Sequence, residues 1–279
     1  MGTFKKLFKN PSFVFGFTTF ILIVLIGLFG PLFVSMDPFA TDFMPFMEPS
    51  ADHWLGTNNL GQDVFSRLLY GLRSSLYVGL TAGVFATIIG TFVGIYGGYK
   101  GGIVDNFFTL TTNLMLVIPQ LVVLILISNS IENKSLTLIA FIIGITSWTW
   151  VARAVSAQAA SLKTRDHVNL AKLNGFNTLS ILIRQILPYI LSYVFMAFIL
   201  QLTSGILSEA ALSMLGLGPE TSSSVSLGSI LNNAQNNEAL ESGYWWVFIP
   251  PTISITLIAF SLYVVNTSME GVFNPRLRK

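Results

Sequence analysis

Apolar residues in this chain gather into long unbroken runs, not into the alternation of strands or the stripes of surface helices. Six runs, near residues 12–34, 76–96, 107–128, 136–152, 186–208 and 247–265, contain no Lys, Arg, Asp, Glu or His. A helix needs roughly 20 apolar residues to cross about 30 Å of hydrocarbon, so each run predicts a membrane-spanning helix. The fourth is short, but Trp148 and Trp150 at its end favour a membrane interface. The first follows Lys5, Lys6 and Lys9, as a secretory signal would. Its apolar stretch outruns the roughly 7–15 residues of a signal core and no small-residue cleavage site follows, so it reads as a retained span.

The polar segments between the runs set the orientation. With the N-terminus inside, segments 1–11, 97–106, 153–185 and 266–279 hold twelve Lys and Arg, and the outside segments hold three, Arg67, Arg73 and Lys134. Loops rich in Lys and Arg stay cytoplasmic. The expected fold is therefore an all-α integral membrane protein with six transmembrane helices and both termini cytoplasmic. The expected organisation is a tail and first helix over 1–35, an external segment with an interfacial helix over 36–75, a helical core over 76–265 with a cytoplasmic loop at 153–185, and a cytoplasmic tail over 266–279.

Composition narrows the chemistry. Hydrophobic residues make up 52%, charged residues 10%, and mean hydropathy is +0.68, whereas soluble domains average about 25% charged. With no cysteine, disulfides, Cys-ligated zinc and iron–sulfur sites are excluded. No run contains an ionisable group, which weighs against proton or sodium relays and voltage sensing. The chain has no G-x-x-x-x-G-K-[ST] phosphate loop, no H-E-x-x-H and no G-x-S-x-G. It reads as a non-enzyme without a cofactor or metal site of its own, and any driving energy must arrive from outside it. His53 and His167 fall on opposite sides of the membrane and cannot share a site. Gly79, Gly83, Gly90 and Gly94 permit close helix packing. The third run holds Asn113, Pro119 and Gln120 and the sixth opens with Pro250–Pro251, and proline in a span frees backbone groups that protein or a water-filled cavity must satisfy. A translocation path and ordinary kinked packing both fit them.

Loop 153–185 reads RAVSAQAASLKTRDHVNLAKLNGFNTLSILIRQ. Asp166 fits an N-cap, a short helix follows over 167–174, and Gly175 fits the left-handed position that ends it. Val168, Ala171 and Leu170 share an apolar face, suited to a cytoplasmic partner or to the lipid interface. In the external segment, Asp63, Arg67 and Arg73 lie on a helical stretch, and Asp63 and Arg67 are spaced to pair. That pair seats an interfacial helix or serves an external gate, and the structural role is favoured. Glu209, at the outer end of the fifth run, suits a structural hydrogen bond better than a substrate amine. Segment 219–243 has no Lys or Arg and reads as an external connector.

N-L-A-K-L-N-G at 169–175, followed by Leu187–Pro188, resembles the cytoplasmic signature of ABC-importer permeases, E-A-A-x(3)-G with a downstream Leu-Pro. Gly175 and Ala171 agree, while Asn169 and Leu170 replace Glu and Ala. Three further blocks resemble the peptide/nickel branch: HWLGTNNLGQDVFSRLLYGLRSSLYVGL at 53–80, SEAALSMLGLG at 208–218 and NPRLR at 274–278. In the first block Asn58 and Gln62 replace the usual Asp and Arg. This resemblance implies the second permease of a pair, with a type I importer core of five helices preceded by one extra helix. It implies a partner permease, two cytoplasmic ATPase subunits that bind ATP and Mg, and an external solute-binding protein, in a cytoplasmic or inner cell membrane. No nucleic acid is involved. It makes the short loop helix a coupling helix, with Asp166, Val168, Asn169, Leu170, Ala171 and Gly175 facing an ATPase. Asp63, Arg67, Arg73 and Glu209 become candidates for an external gate or binding-protein contact. Peptides are the implied substrate, with nickel or a metal chelate as the alternative. A stand-alone secondary transporter or channel is the third reading.

Overall fold

The computed structural model describes residues 6–219 and 224–273. Lys5 and the 274–278 block lie outside the described residues. Among the described residues the secondary structure is helical, apart from one isolated bridge between Thr57 and Asp63.

Helix α1, Pro11–Phe29, starts where Asn10 accepts a hydrogen bond from the Ser12 amide at 3.0 Å and Pro11 presets the first helical dihedral. Helix α2, Val64–Lys100, starts at Asp63, whose carboxylate accepts from the Ser66 amide at 2.7 Å, and ends at Gly101 with φ +68°. Then come α3, Gly102–Val117; α4, Gln120–Asn129; and α5, Leu136–Leu162. A short α6, Asp166–Leu173, leads to α7, Thr178–Met214, which contains a π-helical turn at Leu182–Ile186. Helix α8, Leu227–Asn236, and helix α9, Trp245–Phe273, complete the fold.

Five helical segments are long and apolar enough to cross a membrane: Pro11–Leu32, Val64–Lys100, Leu136–Leu162, Thr178–Met214 and Trp245–Phe273. The third expected run is broken. Pro119 has no amide hydrogen and disfavours helical dihedrals at the residue before it. Ile118 is accordingly extended, with φ −84° and ψ 123°, and α3 and α4 meet at 79°. The bent pair makes a sixth crossing if it is counted as one span.

Helix α2 runs through the middle of the bundle, and its glycines explain how. A Cβ at Gly83 would lie 3.0 Å from the Leu202 amide nitrogen of α7, and one at Gly94 would lie 2.5 Å from the Ala152 carbonyl of α5. The first glycine pair therefore admits α7 and the second admits α5. The interfacial helix expected within 36–75 is, from Val64 onward, continuous with α2. It is drawn inward because Val64, Ser66, Arg67, Leu69, Leu72 and Ser75 are buried. At the far end, residues 266–273, expected in a tail, continue α9.

The loops sort to two ends. At one, Phe46 and Leu55 pack with Val64, Ala234, Ala239 and Trp246; this is the cap end. At the other, Tyr99, Val155, Val168, Ala171, Ile181 and Leu182 form one cluster; this is the loop end.

Candidate coupling helix and membrane cavity

At the cap end, Asp63, Arg67 and Glu209 are held in internal hydrogen bonds. Asp63 uses one carboxylate oxygen to cap α2, and the other lies 2.9 Å from His53 Nδ1. Arg67 is 4% exposed and donates to the Pro38 carbonyl at 3.0 Å and to Gln62 Oε1. The expected Asp63–Arg67 pair does not form. A capping side chain folds over the open amides of its own first turn, and Arg67 reaches instead for a carbonyl of the segment before the helix. Asn58 and Gln62 bond each other at 2.9 Å, and Asn58 Oδ1 accepts from the Leu60 and Gln62 amides. Together these contacts fold 36–63 into a fixed cap. Arg73 is exposed.

Glu209 is 0% exposed. Its carboxylate accepts from the Ser75 hydroxyl at 2.9 Å and the Ser213 hydroxyl at 2.6 Å, and the Ser226 side chain bonds it too. Ser75 also accepts from the Leu227 amide at 3.2 Å. The carboxylate thus ties α2, α7 and the start of α8 together and is buried from solvent.

At the loop end, α6 is capped by Arg165, not Asp166, and makes no side-chain cap bond. Asp166 is the first helical residue and makes no cap bond. It sits instead in the first turn, where negative charge is favourable. The C-terminus follows the expectation. Gly175 has φ +76°, its amide bonds the Lys172 carbonyl at 3.0 Å, and the Phe176 amide bonds the Ala171 carbonyl at 3.1 Å. Those are the two bonds of a Schellman turn.

The face expected to meet a partner divides in two. Val168 and Ala171 are 0% and 2% exposed inside the loop-end cluster, whereas Leu170 and Leu173 are 58% and 85% exposed. Val168 and Ala171 therefore hold α6 to the spans and cannot touch another protein. Asn169 is exposed and donates to the Thr164 carbonyl at 3.1 Å. Contacts of three residues that the sequence does not signal complete the attachment. His167 Nε2 lies 3.2 Å from the Gln185 carbonyl in the π turn, and its ring stacks on Tyr189 at 4.3 Å. Lys172 lies 5.4 Å from the centre of the Tyr99 ring. Lys163 donates to the Lys100 carbonyl at 3.0 Å. Helix α6 is thereby fixed to both α2 and α7.

Between α3, α4, α5 and α7 lies a cavity of about 470 Å³. It opens at the break, where Ile118, Pro119 and Gln120 form one wall; Ser147, Thr149 and Gln201 are on the others. None of its lining residues is ionisable. Gln120 Nε2 donates to the Ser147 hydroxyl at 2.6 Å, and that hydroxyl donates to the Ile143 carbonyl at 2.6 Å. Gln201 is 6% exposed and its Oε1 has no hydrogen-bond partner. The sequence signals this site through Pro119 and Gln120. For Gln201 the signal is only one amide in an apolar run. Among the described residues there is no group of three or more His, Cys, Asp or Glu placed to hold a metal ion.

Comparison with known proteins adds a family to this geometry. Residues 86–279 match the family described as binding-protein-dependent transport system inner membrane component. Residues 2–49 match the N-terminal TM domain of oligopeptide transport permease C. The chain is 30% identical over 279 residues to the dipeptide transport system permease protein of Bacillus subtilis, covering 99% of this chain and 85% of that protein. It is 31% identical over 272 residues to the oligopeptide transport system permease protein of the same organism, covering 97% and 88%. An oligopeptide transport system permease protein of Streptococcus pneumoniae is 29% identical over 284 residues, covering 100% and 90%.

Proposed function

The chain belongs to the binding-protein-dependent transport system inner membrane component family, the multi-pass membrane permeases of ABC transporters, and from that membership we propose that it forms half of the translocation path of an ATP-driven peptide importer. In this reading α3 and α4 together make one crossing, giving six, and both termini are cytoplasmic. A second permease supplies the other half, two ATPase subunits bind ATP and Mg, and an external binding protein delivers solute. Peptides are favoured over nickel or a chelate because the relatives above are named for dipeptide and oligopeptide transport.

One observation supports coupling above others: α6 is keyed to the spans on one side and bare on the other. Burying a leucine against a partner is worth about 1.5–3 kcal/mol, so Leu170 and Leu173 offer an apolar docking face. Asn169, in place of the family's Glu, forms no ion pair, and docking rests on that face. Closure of the ATPases on ATP displaces α6. Its buried face transmits the displacement to α2 and α7, and the spans rock between inward- and outward-facing states. No charge inside the membrane is needed, because the work arrives mechanically.

The test is assembly and uptake. Co-expressed ATPase subunits should co-purify with this chain, and the assembled complex should take up labelled peptide, not nickel, when ATP is supplied. Replacing Leu170 and Leu173 together by Asp should release the ATPases while the permease pair stays intact. Transport by this chain alone, without ATP, would sink the reading.

A further inference from the structure

We propose that the cavity at the break between α3 and α4 is a peptide-backbone site, in which Gln201, Gln120 and the free backbone groups of the two helix ends bond the amides of a passing peptide. The inference rests on the importer reading and adds the residues and the chemistry of recognition.

The cavity of about 470 Å³ falls in the usual range of small-ligand sites, about 300–1,000 Å³. Its polar equipment is neutral, and it comes in donors and acceptors together. A helix leaves its first amides without intrahelical acceptors and its last carbonyls without donors. The break therefore presents both kinds. No side chain caps the start of α4, where Gln120 lies, and Met115 and Leu116 from the last turn of α3 line the same space. Irregular backbone at membrane depth persists where it lines a cavity or is covered by protein, and discontinuous helices elsewhere in transport proteins place such ends at a solute.

Gln201 gives the independent sign of a ligand. Of the buried side-chain oxygens without a partner among the described residues, it alone belongs to a residue lining this cavity. An unpaired amide in a helix-bundle interior is costly. The last torsion of Gln is broad, so the amide can turn toward the cavity and accept an N–H there. Gln120 has one hydrogen on Ser147, and its Oε1 makes no hydrogen bond among the described residues. A peptide unit carries one donor and one acceptor, which is the complement of this lining. A site without charge also leaves the side chains of the solute unread, and one path then serves many sequences.

The experiment uses the complete complex in proteoliposomes, with its binding protein and a labelled tripeptide. Gln201→Leu should lower ATP-driven uptake about tenfold, the loss expected from one buried hydrogen bond. ATPase stimulation by the loaded binding protein should stay within about twofold, and Gln201→Asn, which keeps an amide, should fall between. The chain has no cysteine, so Ser204→Cys places one thiol on the cavity wall. Saturating peptide should slow its modification by a maleimide when Gln201 is present and not when Leu replaces it. Normal uptake by Gln201→Leu overturns the site. So does joint loss of uptake, ATPase stimulation and partner-permease co-purification, which would make Gln201 an inter-subunit contact. Failure of the unsubstituted complex to import any peptide would overturn the importer reading itself, and it would be seen before any substitution is made.

Discussion

Replacing Gly175 by Ala should weaken the turn after α6 by backbone strain alone. The position has φ +76°, and a Cβ built there meets nothing within 4 Å. Nothing among the described residues is displaced, so the cost is that of an L-residue in the left-handed region, about 1–2 kcal/mol. Losses of that size change an opening equilibrium by a factor of roughly 5–30. The two amides held by the turn, at residue 175 and Phe176, should exchange hydrogen faster by about that factor. Gly175→Asn should cost less, because Asn visits this region with local side-chain bonding. Gly175→Arg adds bulk to the open space that a docked ATPase would fill, so it should abolish uptake although the subunit still inserts. Hydrogen exchange across 171–180 in the assembled complex measures the first effect, and peptide uptake measures the second. Unchanged exchange in the Ala variant, or Asn as damaging as Ala, would refute the strain argument. Normal uptake by Gly175→Arg would remove α6 from coupling.

Three further outcomes are expected. Gly94→Leu should prevent accumulation of the folded subunit, since even a Cβ there lies 2.5 Å from the Ala152 carbonyl; Western blotting of membranes checks it, and normal levels would contradict the close α2–α5 packing. Asp63→Ala removes an N-cap worth about 0.5–2 kcal/mol and strips His53 of its partner, so segment 36–63 should become sensitive to added protease on intact vesicles; unchanged resistance would count against the cap. Glu209→Leu leaves the Ser75, Ser213 and Ser226 hydroxyls without their common acceptor, and should destabilise the purified complex by about 1–3 kcal/mol, with Glu209→Gln milder; a Leu variant with the melting behaviour of the unsubstituted complex would show that the hydroxyls find other partners.

The spans are legible because charge-free runs of that length have few other uses, and the glycines of α2 announce close packing. What the sequence cannot supply is partner choice over distance. Arg67 finds the Pro38 carbonyl, 29 residues away, while its helical neighbour Asp63 turns to His53. The stripes 168/171 and 170/173 of α6 have equal spacing. Which one faces inward is decided by Tyr99, Val155 and Leu182, contributed by three other parts of the chain. Pro119 foretells a break, but its angle depends on what α5 and α7 leave room for. Gln201 is invisible for a related reason, since one amide in an apolar run signals nothing until the break opens beside it.

Helix α2 has 37 residues and no proline, so it is about 55 Å long at 1.5 Å per residue, well beyond the roughly 30 Å of hydrocarbon. One end is fixed by Asp63 and the cap, the other by the Lys163 bond to the Lys100 carbonyl. Inserting a single residue between Gly83 and Gly90 would rotate everything beyond it by about 100°, turning Gly90 and Gly94 away from α5 while Gly79 and Gly83 stayed on α7. The helix fixes angular phase across the whole membrane. Length changes among relatives should accordingly gather in the cap and in the connectors, and the stretch from 64 to 100 should evolve by substitution alone.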